Sequence, residues 1–485
     1  MQIETMNVTS DSGKDRYRQT RQDHWDRVAC RMEHWQGWGG YYHELVTKIF
    51  CAIIPPGSRV LELGCGQGSL LNALKPSKGV GMDFSQEMIR HARKNFPHLT
   101  FIESDVHDLP EGECFDFVVL SDLVNDLWDV QAVFEGLHRV LTPQSRIIIN
   151  TYSRLWELPL WLAKKTGLAR PVLFQNWLTV EDVSGMLYLA DFEIVRHWDE
   201  ILWPLRTPIV APILNRILAK IWPFRCCDLT HVIVARSRPT ESVKRHHTKV
   251  SVIVPARNEE GNIGEIFRRV PEMGAGTELI FVEGHSSDDT FATIERTMKA
   301  YPQRRVQLFR QEGHGKGDAV RLGFLHAAGE ILMILDADLT VPPEDLPRFY
   351  ETLISGKGEF ANGVRLVYPM EKEAMRFFNL LGNKFFSLAF SWLLGQPIKD
   401  TLCGTKALWK NDYERIAVSR AYFGDFDPFG DFDLLFGAAR LSMKICDVPI
   451  RYRERTYGDT NIRRWRHGWL LLKMVYFAMR KMKFV

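Results

Sequence analysis

Apolar residues in this chain fall into short unbroken runs, several of them closed by glycine or by acidic side chains, and separated by stretches of helical period. A run of four to six apolar residues without polar alternation reads as a strand covered on both faces. In the first half such strands are expected from Arg59, Gly79, Leu99, Phe115 and Ser145, with a last one at Thr230-His-Val-Ile-Val-Ala. An aromatic helical stretch, 23–54, precedes them and is broken by Pro55-Pro56-Gly57. Strand and helix alternate throughout, which predicts an α/β fold with a parallel, doubly wound sheet. Arg236 to Lys249 is charged and has no apolar period, so it reads as a boundary. A second sheet is expected beyond it, with strands from Val250, Leu279, Val306 and Ile331. The domains are accordingly placed at 1–236 and 249–485, with a linker at 237–248.

A chain of 485 residues is too long for one hydrophobic core, which agrees with two domains. At 45% hydrophobic and 25% charged residues the composition is that of a globular protein. The net charge of +3 implies nothing strong about partners, and the basic run Lys244 to Lys249 lacks interleaved aromatics, so no nucleic-acid binding is expected. Eight cysteines form no Cys-x-x-Cys pair, which suits reduced thiols in the cytosol. Met1 to Gln22 has no apolar signal core, and no stretch of about 20 residues is uniformly apolar.

Chemistry gathers at the ends of the expected strands. The first is followed by Glu62-Leu-Gly64-Cys-Gly66-Gln-Gly68, a turn whose glycines let the backbone approach a ligand closely. The second ends in Asp83, where a carboxylate can take both hydroxyls of a ribose. Asp105 follows the third, and Ser121-Asp122 the fourth. These motifs resemble the cofactor motifs of class I S-adenosylmethionine-dependent methyltransferases, over roughly residues 20 to 236. The resemblance implies a Rossmann-like methyltransferase sheet in which Glu62, Gly64, Gly66, Gly68, Asp83, Asp105 and Ser121 bind S-adenosylmethionine. A nicotinamide dehydrogenase is disfavoured, because its fingerprint is G-x-G-x-x-G and this turn is spaced G-x-G-x-G. Asp122 or Asp126 would serve as a base for the methyl acceptor or would cap a helix. The apolar segment 201–224 would pack, cover a substrate or face a membrane.

In the second half, Ile331 to Leu335 ends in Asp336-Ala-Asp338. Alternate positions on a strand share a side, so the two carboxylates converge, and they repel unless a cation or protons neutralise them. A divalent ion held by Asp336 and Asp338 and bridging a diphosphate satisfies that requirement. Earlier strands end in Pro255-Ala-Arg257-Asn-Glu259 and in Glu283-Gly284, and Gly313-His-Gly315-Lys316 lacks the spacing of a phosphate loop. Together these motifs resemble inverting GT-A glycosyltransferases of family 2, in their dolichol-phosphate mannosyltransferase-like branch, over about residues 247 to 467. The resemblance implies that Pro255, Arg257, Glu259, Glu283, Lys316, Asp336, Arg365 and Arg455 bind a GDP- or UDP-linked sugar. It implies Mg²⁺ or Mn²⁺ at Asp336 and Asp338, and a lipid-phosphate acceptor.

Two departures from that family stand out. Glu283-Gly284 replaces its paired aspartates, and the lysine of its R-x-x-G-x-S-K is missing after Arg455-Thr-Tyr-Gly458. If the acceptor is a hydroxyl, Asp433 is the candidate catalytic base and Asp431 the second, with helix capping as the plain alternative. The basic, tryptophan-bearing tail 463–485 reads as an amphipathic helix that lies in a membrane interface or docks on its own domain. The expected protein is a bifunctional enzyme in the cytoplasm, peripheral to the membrane. The alternative is an active glycosyltransferase carrying a binding or scaffold module.

Overall fold

The computed structural model describes residues 4–32, 40–110, 112–165, 173–239, 248–365, 377–420, 431–453, 455, 457 and 464–483. Two compact units divide the chain at Arg238 and Pro239.

The first unit is built on a seven-stranded sheet in the order β3-β2-β1-β4-β5-β7-β6. Its strands are β1 (Arg59–Leu63), β2 (Lys78–Asp83), β3 (Thr100–Glu103), β4 (Phe115–Ser121), β5 (Leu141–Tyr152), β6 (Phe192–Glu200) and β7 (Thr230–Ser237). Its helices are α1 (Glu4–Met32), α2 (Gly40–Ile53), α3 (Ser69–Ala73), α4 (Gln86–Asn95), α5 (Val130–Gly136), α6 (Glu157–Lys165), α7 (Val180–Leu189) and α8 (Val210–Arg216). Leu61 and Leu63 enter the core on one face of the sheet and Val60 that on the other, as the two-residue repeat of a strand requires. Each such fully buried aliphatic side chain contributes about 2 kcal/mol. Tyr42, Val46, Phe50 and Ile53 form the inward stripe of α2.

The expectation of an all-parallel sheet needs correction, because β7 runs antiparallel to both β5 and β6. An unbroken apolar run reports burial on both faces, not chain direction, and β7 is such a run inserted between two neighbours. The helix expected from residue 23 in fact begins at Glu4. Its early turns are polar and carry no apolar stripe for periodicity to detect.

The second unit holds a mixed sheet, β10-β9-β8-β11-β13-β12-β14. The strands are β8 (Val250–Ala256), β9 (Thr277–Glu283), β10 (Arg305–Arg310), β11 (Ile331–Ile334), β12 (Phe360–Val364), β13 (Lys406–Trp409) and β14 (Ile445–Pro449). The helices are α9 (Ile263–Arg269), α10 (Thr290–Ala300), α11 (Lys316–His326), α12 (Leu346–Ile354), α13 (Phe377–Leu394), α14 (Lys410–Ser419), α15 (Asp431–Arg440) and α16 (Arg464–Ala478). The first four strands run parallel, and β13 runs antiparallel to β11 and β12. Ile331, Met333 and Leu335 feed one core, while Leu332 and Ile334 feed the other. β11 is therefore central and dry, and it delivers its two aspartates to the carboxyl edge of the sheet.

Candidate active sites

The turn after β1 is shaped by three left-handed glycines, Gly64, Gly66 and Gly68, with φ of 69°, 51° and 75°. Side chains there would be strained, and two would also collide: a Cβ at Gly64 would lie 2.7 Å from Leu123, and one at Gly68 would lie 2.6 Å from Phe101. Gly66 faces open space. Its N–H donates to Asp83 Oδ2 at 2.9 Å, and the Ser85 N–H donates to Oδ1 at 2.9 Å. Burial nonetheless pushes the Asp83 carboxyl up to about 6. Burial likewise pushes Glu62 up to about 8, and its Oε2 has no hydrogen-bond partner among the described residues. The Leu71 N–H serves the Glu62 carboxylate from one side only, so a buried Oε2 left open beside a second acid is a cradle for a positively charged group, and S-adenosylmethionine carries two such groups. The cofactor fits these residues.

Asp105 is engaged differently. Burial opposes its charge, but hydrogen bonds from His107 and the nearby Arg18 outweigh it and hold the carboxyl at about 2. Ser121 closes β4 half-buried, in register with Asn150. Neither acid beyond it caps a helix. Asp122, left-handed at φ 52°, accepts from Tyr42 Oη at 2.8 Å and from Asn150 Nδ2 at 2.6 Å, and burial pushes it up to about 6. Asp126 accepts from Arg21 Nε at 3.1 Å and from Trp25 Nε1 at 2.9 Å.

Sequence reasoning missed what α1 does at this edge. Arg18 reaches Asp105, Arg21 and Trp25 reach Asp126, and Asp26 accepts from Ser85 Oγ beside Asp83. The helix thus lies across the cofactor edge of the sheet. A signal existed: residues 18, 21 and 25 share one helical face, although no apolar stripe marks it.

In the second unit three strand ends turn through left-handed residues: Asn258 after β8, His285 after β9 and Leu339 after β11. These tight turns bring the polar groups together. Lys316 Nζ lies 2.6 Å from Asp336 Oδ1. Arg455 pairs with Glu259 and sits 3.5 Å from Asp338 Oδ2. Asp338 also accepts from the Thr340 N–H at 3.1 Å and from Oγ1 at 2.8 Å. Burial, then the Asp336 charge, raises the Asp338 carboxyl above its usual range. Burial lifts Glu259 to about 7 against the pull of Arg455.

Gly404 lies against this cluster, and a Cβ there would collide with the Asp336 carboxylate and the Lys316 ammonium. No group of three or more metal-ligating side chains is assembled among the described residues. Two carboxylates that repel each other at a strand end suit Mg²⁺ or Mn²⁺, which takes its other ligands from water and phosphate oxygens. The ion fits.

Pro255, the penultimate residue of β8, is half-buried, and Arg257 just beyond the strand is exposed. Glu283 is buried and accepts from the Ser286 N–H at 2.5 Å. A Cβ at Gly284 would lie 3.0 Å from Gln311 Oε1, so Gln311 crowds the place where the family has its second aspartate.

Arg365 differs from the expected phosphate contact. Its Nε and terminal amino group donate to Asp400 at 2.7 and 2.9 Å, and both residues are buried. The guanidinium is committed to holding β12 to the loop before β13. Asp433 sits inside α15, where it receives Arg420 Nε at 2.6 Å, and the side chain of Asp431 lies outside the described residues.

The terminal helix α16 docks Leu471, Met474 and Ala478 into its own unit's core and leaves Trp469 and Tyr476 exposed. Among the described residues no helix is long and apolar enough to cross a membrane.

Comparison with known families agrees with these two constructions. Residues 54–190 match the family described as "Methyltransferase domain", and residues 251–409 match "Glycosyl transferase family 2". The chain therefore carries a methyltransferase domain followed by a family 2 glycosyltransferase domain. Over 221 residues it is 29% identical to a dolichol-phosphate mannosyltransferase of Pyrococcus furiosus, covering 44% of this chain and 59% of that protein. Over 216 residues it is 34% identical to an undecaprenyl-phosphate 4-deoxy-4-formamido-L-arabinose transferase of Sodalis glossinidius, covering 44% and 62%. The chain thus spans about three-fifths of the length of these relatives. A putative methyltransferase of Haloferax volcanii, solved with its activator, is a looser likeness at 19% identity and a TM-score of 0.34, covering 44% of this chain and 97% of that one.

Proposed function

We propose that the chain is a bifunctional transferase. Its first unit moves a methyl group from S-adenosylmethionine. Its second performs metal-dependent, inverting transfer from a GDP- or UDP-linked sugar to a polyprenyl-phosphate or other lipid-linked acceptor, from a peripheral position on the cytoplasmic face of a membrane. One observation carries the glycosyltransferase reading: Asp336, Asp338, Lys316 and Arg455 converge at the carboxyl end of β11. In this reading Lys316 and Arg455 meet the diphosphate and offset the charge that grows on it as the sugar leaves. Asp336 and Asp338 would hold Mg²⁺ or Mn²⁺, which supplies further neutralisation of the leaving group. The names of the two relatives, on dolichol-phosphate and undecaprenyl-phosphate, support a polyprenyl-phosphate acceptor. Such an acceptor is already ionised and needs no base, which accords with Asp433 being held by Arg420.

In the first unit Glu62 faces the cofactor's cationic end, Asp83 takes the ribose hydroxyls, and the glycine turn brings its backbone close. Asp122, within reach of β4's end, is the candidate base for a protonated acceptor. A second reading, in which the first unit only binds, is favoured by Asp105, whose carboxylate is already taken by His107 and Arg18.

The test is the pair Asp336→Ala with Asp338→Ala. Release of nucleoside diphosphate from a donor, measured with polyprenyl phosphate and Mn²⁺, is expected to fall about 10³-fold. Unchanged turnover overturns the glycosyltransferase reading. Absence of S-adenosylmethionine binding by calorimetry overturns the other half.

A further inference from the structure

The first unit turns an apolar face outward. On and just beyond α8, Ile209 and Trp222 are 75% and 73% exposed, and Ile213, Ile217, Ile221 and Phe224 are each more than two-fifths exposed. A second exposed group, Leu155, Leu158, Trp161 and Leu162, lies on and just before α6. The two groups adjoin, because Trp156 Nε1 donates to the Cys227 carbonyl at 2.8 Å. Trp156 and Leu160 already pack against the core, so the outward residues of α6 are surplus to it. A short helix apolar on both sides needs a second apolar phase to cover it.

The surface is firmly held. Ala211, Asn215 and Ala219 are buried beneath it. Asn215 clamps the Trp203 backbone by accepting its N–H at 2.7 Å and donating to its carbonyl at 2.8 Å. Lys220 pairs with Glu200 underneath.

Charge identifies the occupant. Arg154, Lys164, Lys165, Arg216 and Arg225 lie on these same two segments, with Arg154 near Asp182 and Lys164 near Asp126, while Glu157 is the sole carboxylate within 153–165 and 201–227. Apolar side chains with tryptophans, edged by cations, match a bilayer of anionic lipid, whose headgroups take the cations and whose acyl boundary takes the isoleucines. We propose that this face of the methyltransferase unit docks on an anionic membrane surface. The proposal stands apart from α16 in the second unit and from both transferase readings.

Flotation of the full chain with phosphatidylcholine vesicles, with and without phosphatidylglycerol, tests it. Binding is expected to the anionic vesicles and to weaken with salt. The variant Ile213→Glu with Ile217→Glu is expected to lose about tenfold in the vesicle-bound fraction. Leu158→Glu with Trp161→Glu, on the other helix, is expected to do the same, and it decides the matter if the first variant misfolds. Lipid-free size and melting temperature are expected to stay unchanged in both. No binding of the wild type, flotation of both variants like the wild type, or a variant that turns a lipid-free dimer into monomer (a face used between copies) overturns the proposal.

Discussion

The two candidate sites occupy equivalent places, the carboxyl edge of a central strand, yet they are charged in opposite senses. After β1, Glu62 and Asp83 are buried with backbone N–H groups and, among the described residues, no cation against them, so both carboxyls are pushed up, to about 8 and about 6. After β11, the acids come with Lys316 and Arg455 already in contact. An edge of unneutralised acids suits a ligand that brings positive charge, and one that mixes acids with cations suits a ligand that brings negative charge and a metal. The same architecture is thus assigned to a sulfonium or a diphosphate by a handful of side chains.

The contrast can be broken hardest at Arg365. If its guanidinium is structural, Arg365→Ala leaves the buried Asp400 carboxylate with backbone N–H groups but no countercharge, and costs about 3–5 kcal/mol of stability, read by denaturant unfolding of the second unit. A stable variant that binds donor poorly would return Arg365 to the phosphates. Next comes Gly404→Ala. Its methyl group displaces Asp336 and Lys316, so glycosyl turnover is expected to fall about 10²-fold while S-adenosylmethionine binding is untouched.

The mildest test is Glu62→Gln, expected to weaken S-adenosylmethionine about tenfold. The sign of the pH effect follows from the raised pKa. The folded apo protein holds a proton on Glu62 that the unfolded chain has lost, so the stability of the apo first unit falls as pH rises from about 4.5 to about 8. A cationic ligand favours the ionised form, so binding at neutral pH is expected to release a proton. Calorimetry in buffers of different ionisation enthalpy measures that release, and Glu62→Gln is expected to abolish it.

What could be read from the chain was local. Left-handed turns need glycine, and a two-sided strand ending in acids stands out from its surroundings, so Gly64, Gly66, Gly68, Asp336 and Asp338 were visible. Strand direction was not, since the Val232 to Ala235 run has the same pattern either way. Partnerships across the fold were hidden too. Arg21 meets Asp126 at a separation of 105 residues, and Arg365 meets Asp400 at 35. No periodicity records such pairs, and Gly404 owes its meaning to side chains that arrive from the start of α11 and from beyond the end of β11.

The insertion of β7 between β5 and β6 also sets a timetable for synthesis. The ribosome delivers β1 to β6 in order, but β6 has no place in the sheet until residues 230–237 emerge and pair on both sides. A nascent chain stopped before Thr230 would expose the bare edges of two strands, an invitation to aggregate. The first unit therefore closes only as the boundary before Val250 appears, and the glycosyltransferase half begins its own folding behind a partner that has just finished.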